Sequence, residues 1–251
     1  HTIGRRQRQM CIRDRVGTAN GLVRLDRYKE PAESYIDHNY ICHDPDNPRE
    51  SLSNDWIFAI YEDLNSSSTL TGDRQVLWIG TSGGGLNKMI LPSGYSGSES
   101  ERIEFEHYTD KNGLPANSIS AILGDDFGNL WISSKRGLTK FTPSIKGEGA
   151  FKNYDVDDGT QSNVFYLGSY HKSSSGELFF GGENGFNSFY PDSINDNRQI
   201  PRVVLTNFKV FDQSRQTGSE PILNLELTYK ENFFSLEFAA LSYSNISKNH
   251  Y

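Results

Sequence analysis

The chain has 251 residues, and its 25 Lys and Arg against 32 Asp and Glu give a net charge of −7. This acidic balance argues against general nucleic-acid binding, which needs a basic surface to displace counterions, and no apolar run approaches the roughly 20 residues that cross a bilayer. The composition, with 23 Gly, 12% aromatic residues and only 2 Met, favours strands joined by turns over helices.

The first 15 residues differ from the rest of the chain. They contain five Arg against one Asp, a net charge of +4, which leaves −11 for residues 16–251. The segment shows neither strand alternation nor an apolar helical face, and no apolar stretch follows the arginines as a signal peptide requires. We expect a leader that is non-native or disordered, with a basic patch for nucleic acid as the alternative. Cys11 and Cys42 are isolated and form no disulfide framework; a single bridge between them is the alternative that the sequence leaves open.

Four segments between residues 16 and 189 repeat one pattern: apolar or aromatic residues, two small residues, a polar turn, then Gly followed by an apolar residue. They are Val16–Leu25, Leu77–Met89, Leu130–Phe141 and Leu178–Phe189. Each segment predicts a hairpin in which a glycine supplies the positive φ of the turn, namely Gly21, Gly85, Gly137 or Gly185. Trp78, Trp131 and Phe179 occupy one position, where a large ring would fill the space between adjacent sheets.

Two further strands precede each complete hairpin. They are Tyr40–Cys42 with Asp55–Tyr61, Phe105–Tyr108 with Ser118–Leu123, and Phe151–Tyr154 with Asn163–Ser169. Four antiparallel strands in about 50 residues are typical of one propeller blade. A β-sandwich is the alternative, but it gives no reason for the same ring and glycine to recur. We therefore predict an all-β chain with a partial β-propeller of three to four four-stranded blades over residues 16–196, cut from a larger propeller.

The repeat stops before residue 197. Arg202–Phe211, Ile222–Leu227 and Asn232–Ala240 alternate polar and apolar residues, which is typical of half-buried strands in an antiparallel sandwich. About 50 residues are too few for an immunoglobulin-like sandwich of about 100. Residues 197–251 are therefore predicted as the start of an incomplete immunoglobulin-like β-sandwich, truncated at Tyr251.

Few patterns point to a metal or a cofactor. The group nearest to a metal site comprises Asp37, His38, His43, Asp44 and Asp46. The run Asp44–Pro48 is better explained as a turn, because Asp, Asn and Pro set turn geometry locally. Asp155–Gly159 lacks the Glu that a calcium loop needs at position 12, where Tyr166 stands. Gly83–Gly85 lies between strands and lacks the Lys-Ser/Thr of a phosphate loop. We predict no metal and no cofactor.

Catalytic residues are not predicted either. With 32 acidic residues a carboxylate pair for glycoside hydrolysis is always available, so its presence decides nothing, and neither a nucleophile elbow nor metal-ligand spacing occurs. Asp126, Gly128 and Trp131 are spaced as in the aspartate boxes of sialidase-type propellers, which shape turns. The ligand-binding residues stay unknown. Candidates to stack on a sugar, each with packing between blades as the alternative, are Tyr35, Tyr40, Tyr95 and Tyr108.

Two sets of segments resemble known modules. The first set comprises His43–Asn54, Ile57–Asp63, Leu77–Thr81, Asn112–Pro115, Asn117–Ile119 and Asp126–Trp131. It resembles the two-component regulator propeller repeat. Leu225–Tyr243, followed by Lys248–Tyr251, is similar to the start of the three-Tyr domain that follows such propellers. The resemblance covers residues 16–251.

The resemblance implies the periplasmic sensor region of a hybrid two-component histidine kinase, homodimeric in its full-length form. Such sensors respond to glycan fragments and signal through a membrane helix to regulate transcription. The chain itself contains no membrane helix, phosphoacceptor region or nucleotide-binding box. We therefore expect a sensor fragment without enzymatic activity that binds an oligosaccharide and contacts no nucleic acid. The alternatives are a propeller-type carbohydrate-active enzyme and a protein-interaction propeller.

Overall fold

The computed structural model describes residues 13–26, 37–63, 75–92, 95, 102–143, 149–194, 203–211, 213–217 and 227–240. The elements in these ranges are antiparallel strands and three short 3-10 turns. None of the described residues belongs to a helix long and apolar enough to cross a membrane. The chain separates into two compact units, His1–Ile194 and Asn195–Tyr251.

The first unit consists of four antiparallel sheets whose strands follow chain order. The first contains β1 (Arg13–Thr18), β2 (Gly21–Asp26) and β3 (Asp37–Ile41), and the second β4 (Ile57–Asp63), β5 (Gln75–Thr81), β6 (Leu86–Leu91) and β7 (Glu104–Tyr108). The third contains β8 (Ile119–Gly124), β9 (Leu130–Ser134), β10 (Gly137–Thr142) and β11 (Ala150–Tyr154), and the fourth β12 (Phe165–Lys172), β13 (Leu178–Gly182) and β14 (Gly185–Phe189). Such up-and-down sheets, stacked face to face, are propeller blades, which confirms the predicted all-β class.

The strands are grouped differently from the sequence prediction. Tyr40–Cys42, Phe105–Tyr108 and Phe151–Tyr154 were expected to open a blade, but the strands at these positions close the preceding one. β3 pairs with β2, β7 with β6 and β11 with β10. A repeat of four strands has the same period wherever the unit is taken to begin. The sequence alone therefore did not identify the strand with which each of these three strands pairs.

The start of the first blade also differs from the prediction. β1 begins at Arg13, which pairs with Asp26, so the strand includes the last three residues of the segment expected to be a leader. Residues 1–12 lie outside the described part of the chain. Arg15 stands two residues before Gly17, where Trp78 precedes Gly80 in the second blade, and its Nη2 donates to Gln75 Oε1 at 3.1 Å. The first blade therefore carries a cation at the position of the ring.

The core lies between blades. Trp78 is 1% exposed. Its ring lies 5.9 Å from that of Tyr108 in the same blade and 5.5 Å, edge to face, from that of Phe141 in the next. The apolar residues around them come from both blades, Ala59 and Val76 from one and Ile119 and Ile132 from the other. Aromatic pairs of this kind stabilise by about 0.5–1.5 kcal/mol beyond the buried area.

The same ring cluster recurs one blade later. The ring of Trp131 lies 5.6 Å from that of Tyr154 and 4.6 Å from that of Phe189 in the fourth blade. Phe179 holds the equivalent register, because all three residues are opposite the third residue after the turn glycine. These pairs are Trp78 with Lys88, Trp131 with Lys140 and Phe179 with Ser188. The predicted equivalence of Trp78, Trp131 and Phe179 is confirmed. Phe179 is only half-buried, because no described blade follows it.

The turn glycines join neighbouring blades. Gly85 and Gly137 have φ of +82° and +110°, and a Cβ added to either would lie 2.2 or 2.3 Å from a carbonyl oxygen of the fourth strand. Only glycine fits such a position. Their amides donate to the carbonyl oxygens of Asn117 and Asn163 in the next blade, at 2.8 and 2.7 Å.

The second unit has one described sheet. It contains β15 (Val203–Val210), β16 (Gln213–Thr217) and β17 (Phe234–Ala240), in the order β16-β15-β17. Phe208 and Val210 are buried, whereas alternate residues of β17 leave about half of their apolar side chains exposed. The predicted strand at Ile222–Leu227 lies almost wholly outside the described residues. The assignment to an immunoglobulin-like domain stays a prediction.

Candidate functional site

A shallow cleft of about 320 Å³ opens beside the loop of residues 42–56, which joins β3 to β4. Its apolar part is formed by Ile41 and Ile103. Its polar rim consists of Cys42, His43, Asp44, Asn47, Glu50 and Ser51. The loop packs against the fourth strand of the second blade, where the amide of Phe105 donates to the carbonyl oxygen of Arg49 at 2.9 Å. Surface loops of this kind often carry binding residues.

Two imidazoles hold this loop through backbone carbonyls. His43 Nδ1 donates to the Leu52 carbonyl at 2.7 Å, and His107 Nε2 on β7 donates to the Ser51 carbonyl at 3.0 Å. The backbone amide of His43 also donates to Asp55 Oδ1 at 2.6 Å. Burial lowers the pKa of His107 below its usual value. Each ring therefore uses one of its two nitrogens to position the loop.

The carboxylates of the rim are partly engaged. Asp44 Oδ1 accepts the amide of Asp46 at 3.0 Å, which is the turn expected from the sequence, and Glu50 Oε2 accepts Nδ2 of Asn47 at 3.0 Å. Each carboxylate has a second oxygen that can accept a further hydrogen bond. The rim therefore presents hydrogen-bond acceptors beside an apolar surface.

Cys42 is not an activated nucleophile. Its Sγ donates to the carbonyl of Asn20 at 3.4 Å. The pKa of the thiol is raised by burial and then by the negative charge of Asp55. A thiol becomes reactive when its pKa is lowered. Cys11 lies outside the described residues, so the pairing of the two cysteines stays untested.

The candidate tyrosines are placed differently from one another. Tyr108 is 3% exposed and lies between blades, with its hydroxyl donating to Glu106 Oε2 at 2.8 Å. Its role is packing. Tyr95 is half-buried against the cluster beside the first two blades. Tyr35 and the side chain of Tyr40 lie outside the described residues. Within the described ranges no group of three His, Cys, Asp or Glu side chains is arranged to hold a metal.

The turn between β8 and β9 is organised by Asp125, so the assignment of the aspartate-box position to Asp126 was wrong. Asp125 Oδ1 accepts the amides of Phe127 and Asn129 at 2.9 and 2.8 Å. Its Oδ2 accepts Asn129 Nδ2 at 2.8 Å and Trp131 Nε1 at 3.1 Å. Asp126 points away and pairs with Lys172 of the next blade, Nζ to Oδ1 at 2.7 Å. The sequence signal for Asp125 was Trp131, six residues further along the chain, because a buried indole N–H needs an acceptor.

The loops that open the third and fourth blades share one construction. In the segment that faintly matched a calcium loop, Asp155 caps the 3-10 turn Val156–Asp158 by accepting the amide of Asp157. Asn163 Oδ1 accepts the amide of Val156 at 3.1 Å. In the loop before β8, Asn117 Oδ1 likewise accepts the amide at the start of a 3-10 turn, at 2.8 Å. Asp155 is therefore a turn residue.

Comparisons with known proteins match a short segment to a family and a longer part of the chain to a histidine kinase. Residues 113–136, which span β8, β9 and the turn between them, match the family described as Two component regulator propeller. Over 166 residues the chain is 32% identical to Histidine kinase P4 of Formosa agariphila, a match that covers 62% of this chain. The chain spans only 12% of the length of that relative.

Two solved extracellular domains are also similar. The extracellular domain of the BT3049 hybrid two component system from B. thetaiotaomicron is 22% identical, with a TM-score of 0.45, over 94% of this chain and 35% of that chain. That of BT4673 from the same organism is 15% identical, with a TM-score of 0.36, over 90% and 46%. Both scores are low, so the fold rests on the strand order given above. Residues 113–136 are thus similar to the two-component regulator propeller family, and the chain is similar to Histidine kinase P4 over 62% of its length.

Proposed function

We propose that this chain is part of the periplasmic sensor region of a hybrid two-component histidine kinase. The observation that carries the proposal is the regulator propeller match at residues 113–136 together with the 32% identity to a histidine kinase. The parent protein would pass the signal across the membrane to regulate transcription. This chain would recognise the ligand without chemistry of its own.

The ligand proposed is a glycan fragment, bound at the cleft beside residues 42–56. Carboxylates on the rim, those of Asp44 and Glu50, accept hydrogen bonds from sugar hydroxyls, while Ile41 and Ile103 pack against the apolar face of a ring. The same carboxylates repel uronates and sulfated sugars. The rim therefore supports a neutral oligosaccharide.

The sensor role is tested on the gene. Sequencing beyond the codon for Tyr251 is expected to show a membrane-spanning segment followed by a histidine kinase. A stop codon soon after that position would contradict the proposal and favour a free-standing propeller.

The ligand is tested separately by screening neutral and acidic oligosaccharides against the purified chain. Titration calorimetry is expected to detect a neutral oligosaccharide, with affinity reduced about tenfold, or 1.4 kcal/mol, in Glu50→Gln. Glu177→Gln is the matched control and is expected to bind normally, because Glu177 lies in the turn between β12 and β13 of the fourth blade, away from the cleft. Binding restricted to acidic sugars, or equal in both variants, would contradict the cleft as the site without affecting the sensor role.

A further inference from the structure

The second blade holds a carboxylate on the face that packs against the third blade. Glu106 of β7 is opposite Lys88 of β6, and its Oε2 lies 3.1 Å from Lys88 Nζ. The same oxygen accepts the hydroxyl of Tyr108 at 2.8 Å. Lys88 Nζ also lies 5.8 Å from the centre of the Trp78 ring. An ammonium group and a phenol hydroxyl thus bind one carboxylate beside an indole ring.

The third blade repeats these groups but not the carboxylate. The counterparts, aligned on the turn glycine of each blade, are Lys140 for Lys88, Tyr154 for Tyr108 and Trp131 for Trp78. Lys152 takes the place of Glu106, because it is opposite Lys140 and precedes Tyr154 by two residues. The arrangement of the second blade therefore recurs with its negative charge replaced by a positive one.

The two lysines of the third blade lie next to each other. Lys140 and Lys152 are directly opposite in an antiparallel pair, so their Cβ atoms are about 4.5–5.5 Å apart on one face of the sheet, where like charges destabilise the pair. Lys140 Nζ lies 5.9 Å from the centre of the Trp131 ring, and Lys152 Nζ lies 5.2 Å from that of the Tyr154 ring. A negative charge between the two ammonium groups would offset their repulsion.

Solvent reaches this site more readily than its counterpart. The side chain of Lys88 is only 17% exposed. The rings of Phe141 and Phe151 in the third blade lie 5.0 and 6.1 Å from that of Tyr108 and close the second-blade site. Lys140, by contrast, is half-buried and Lys152 is exposed. A small anion can therefore enter from solution.

We propose that the third blade binds a small carboxylate between Lys140 and Lys152. Its oxygens accept hydrogen bonds from both ammonium groups and from the hydroxyl of Tyr154, as Glu106 accepts those of Lys88 and Tyr108 in the second blade. Hydrogen bonds between ionised partners are about twice as strong as neutral ones. The site is separate from the cleft beside residues 42–56 and from the neutral ligand proposed there.

The test is an NMR titration of the isotope-labelled chain with sodium acetate, with the ionic strength held constant by sodium chloride. We expect saturable shifts of the β10 and β11 amides. Lys152→Glu supplies a carboxylate from the chain itself and is expected to weaken acetate binding at least about tenfold, as is Tyr154→Phe, which removes a hydrogen bond to a charged group. Lys135→Glu makes the same change of charge in the exposed turn between β9 and β10. This variant is the matched control and is expected to bind normally.

A parallel titration with glucuronate distinguishes the sources of the carboxylate. Tighter binding of glucuronate than of acetate would identify a sugar acid as the ligand, and equal binding would identify the carboxylate group alone. Glu50→Gln, in the cleft, is expected to bind acetate normally, so a failure at the lysine pair leaves the proposed function unaffected.

Three results would overturn the proposal. The first is the absence of saturable shifts in β10 and β11, which is also the result if a carboxylate of the chain itself already occupies the site. The second is shifts of the same size when chloride replaces acetate, because screening alone would then explain them. The third is acetate binding that is undiminished in Lys152→Glu.

Discussion

Replacing Asp125 by Asn is expected to destabilise the first unit strongly, whereas the same change at the adjacent Asp126 is expected to have little effect. Asp125 is 2% exposed and its carboxylate accepts four hydrogen bonds. An Asn side chain keeps one oxygen for the backbone amides of Phe127 and Asn129. Its NH₂ group, however, faces two other donors, the side-chain amide of Asn129 and the indole of Trp131.

The magnitude follows from these contacts. Hydrogen bonds to a charged group contribute about 1.5–3 kcal/mol each, and a buried donor left without an acceptor costs about 1–3 kcal/mol. Partial rearrangement of the Asn129 amide offsets some of this, so we expect Asp125→Asn to lower the free energy of unfolding by about 2–4 kcal/mol. The side chain of Asp126 is 72% exposed, and an exposed ion pair such as the one with Lys172 contributes less than about 1 kcal/mol.

The assay is urea unfolding followed by tryptophan fluorescence, since all 3 Trp lie in the first unit. With a slope of about 2 kcal/mol per molar urea, the midpoint of Asp125→Asn is expected to fall by about 1–2 M, while that of Asp126→Asn stays within about 0.5 M. In a Trp131→Phe background, which lacks the indole donor, the cost of Asp125→Asn is expected to shrink. Equal midpoint shifts for the two Asp variants would refute the reasoning.

Three further outcomes are expected. Gly80→Ala places a Cβ 2.5 Å from Ile119 Cγ2 in the next blade, and this overpacking is expected to cost about 1–3 kcal/mol in urea unfolding, partly recovered with Ile119→Ala; an unchanged midpoint would contradict the close approach. Burial lowers the pKa of His107, so the unfolded chain takes up a proton first as the pH falls. The stability of the protein relative to His107→Gln is therefore expected to be full above about pH 6.5 and to be lost as pH falls through the lowered pKa. Parallel curves of stability against pH for the two proteins would exclude this. Asn117→Ala removes the acceptor of the Asp110 amide and is expected to accelerate hydrogen exchange at that amide, with exchange at Val156 as the internal control.

Much of the fold could be predicted from the sequence because each blade repeats a large aromatic residue and a turn glycine at the same positions. Trp78 and Trp131 mark the second strand of a blade, and Gly85 and Gly137 mark the turn that follows. These positions are determined by local geometry and ring packing, which a single chain reveals through recurrence. The sequence does not show whether a fourth strand pairs with the strand before it or the strand after it, because both are joined to it by loops without a distinguishing pattern.

The site was less accessible to sequence reasoning. The aromatic candidates included Tyr108, which is buried, because a Tyr in a loop and a Tyr closing a blade look alike in sequence. The cleft beside residues 42–56 is formed by a loop folded on itself through His43 and His107, residues 64 positions apart. Contacts at that separation follow from the stacking of blades and not from the pattern within one blade.

Asn117 belongs mechanically to two blades at once. Its carbonyl oxygen accepts the amides of Gly83 and Gly85 in the second blade, at 2.9 and 2.8 Å, while its side chain holds the loop that leads into its own. A force on this loop therefore also acts on the hairpin of the preceding blade. Asn163 makes the same link to Gly137 between the third and fourth blades. A displacement of one loop would thus be transmitted from each blade to the next, without a large rearrangement inside a single sheet.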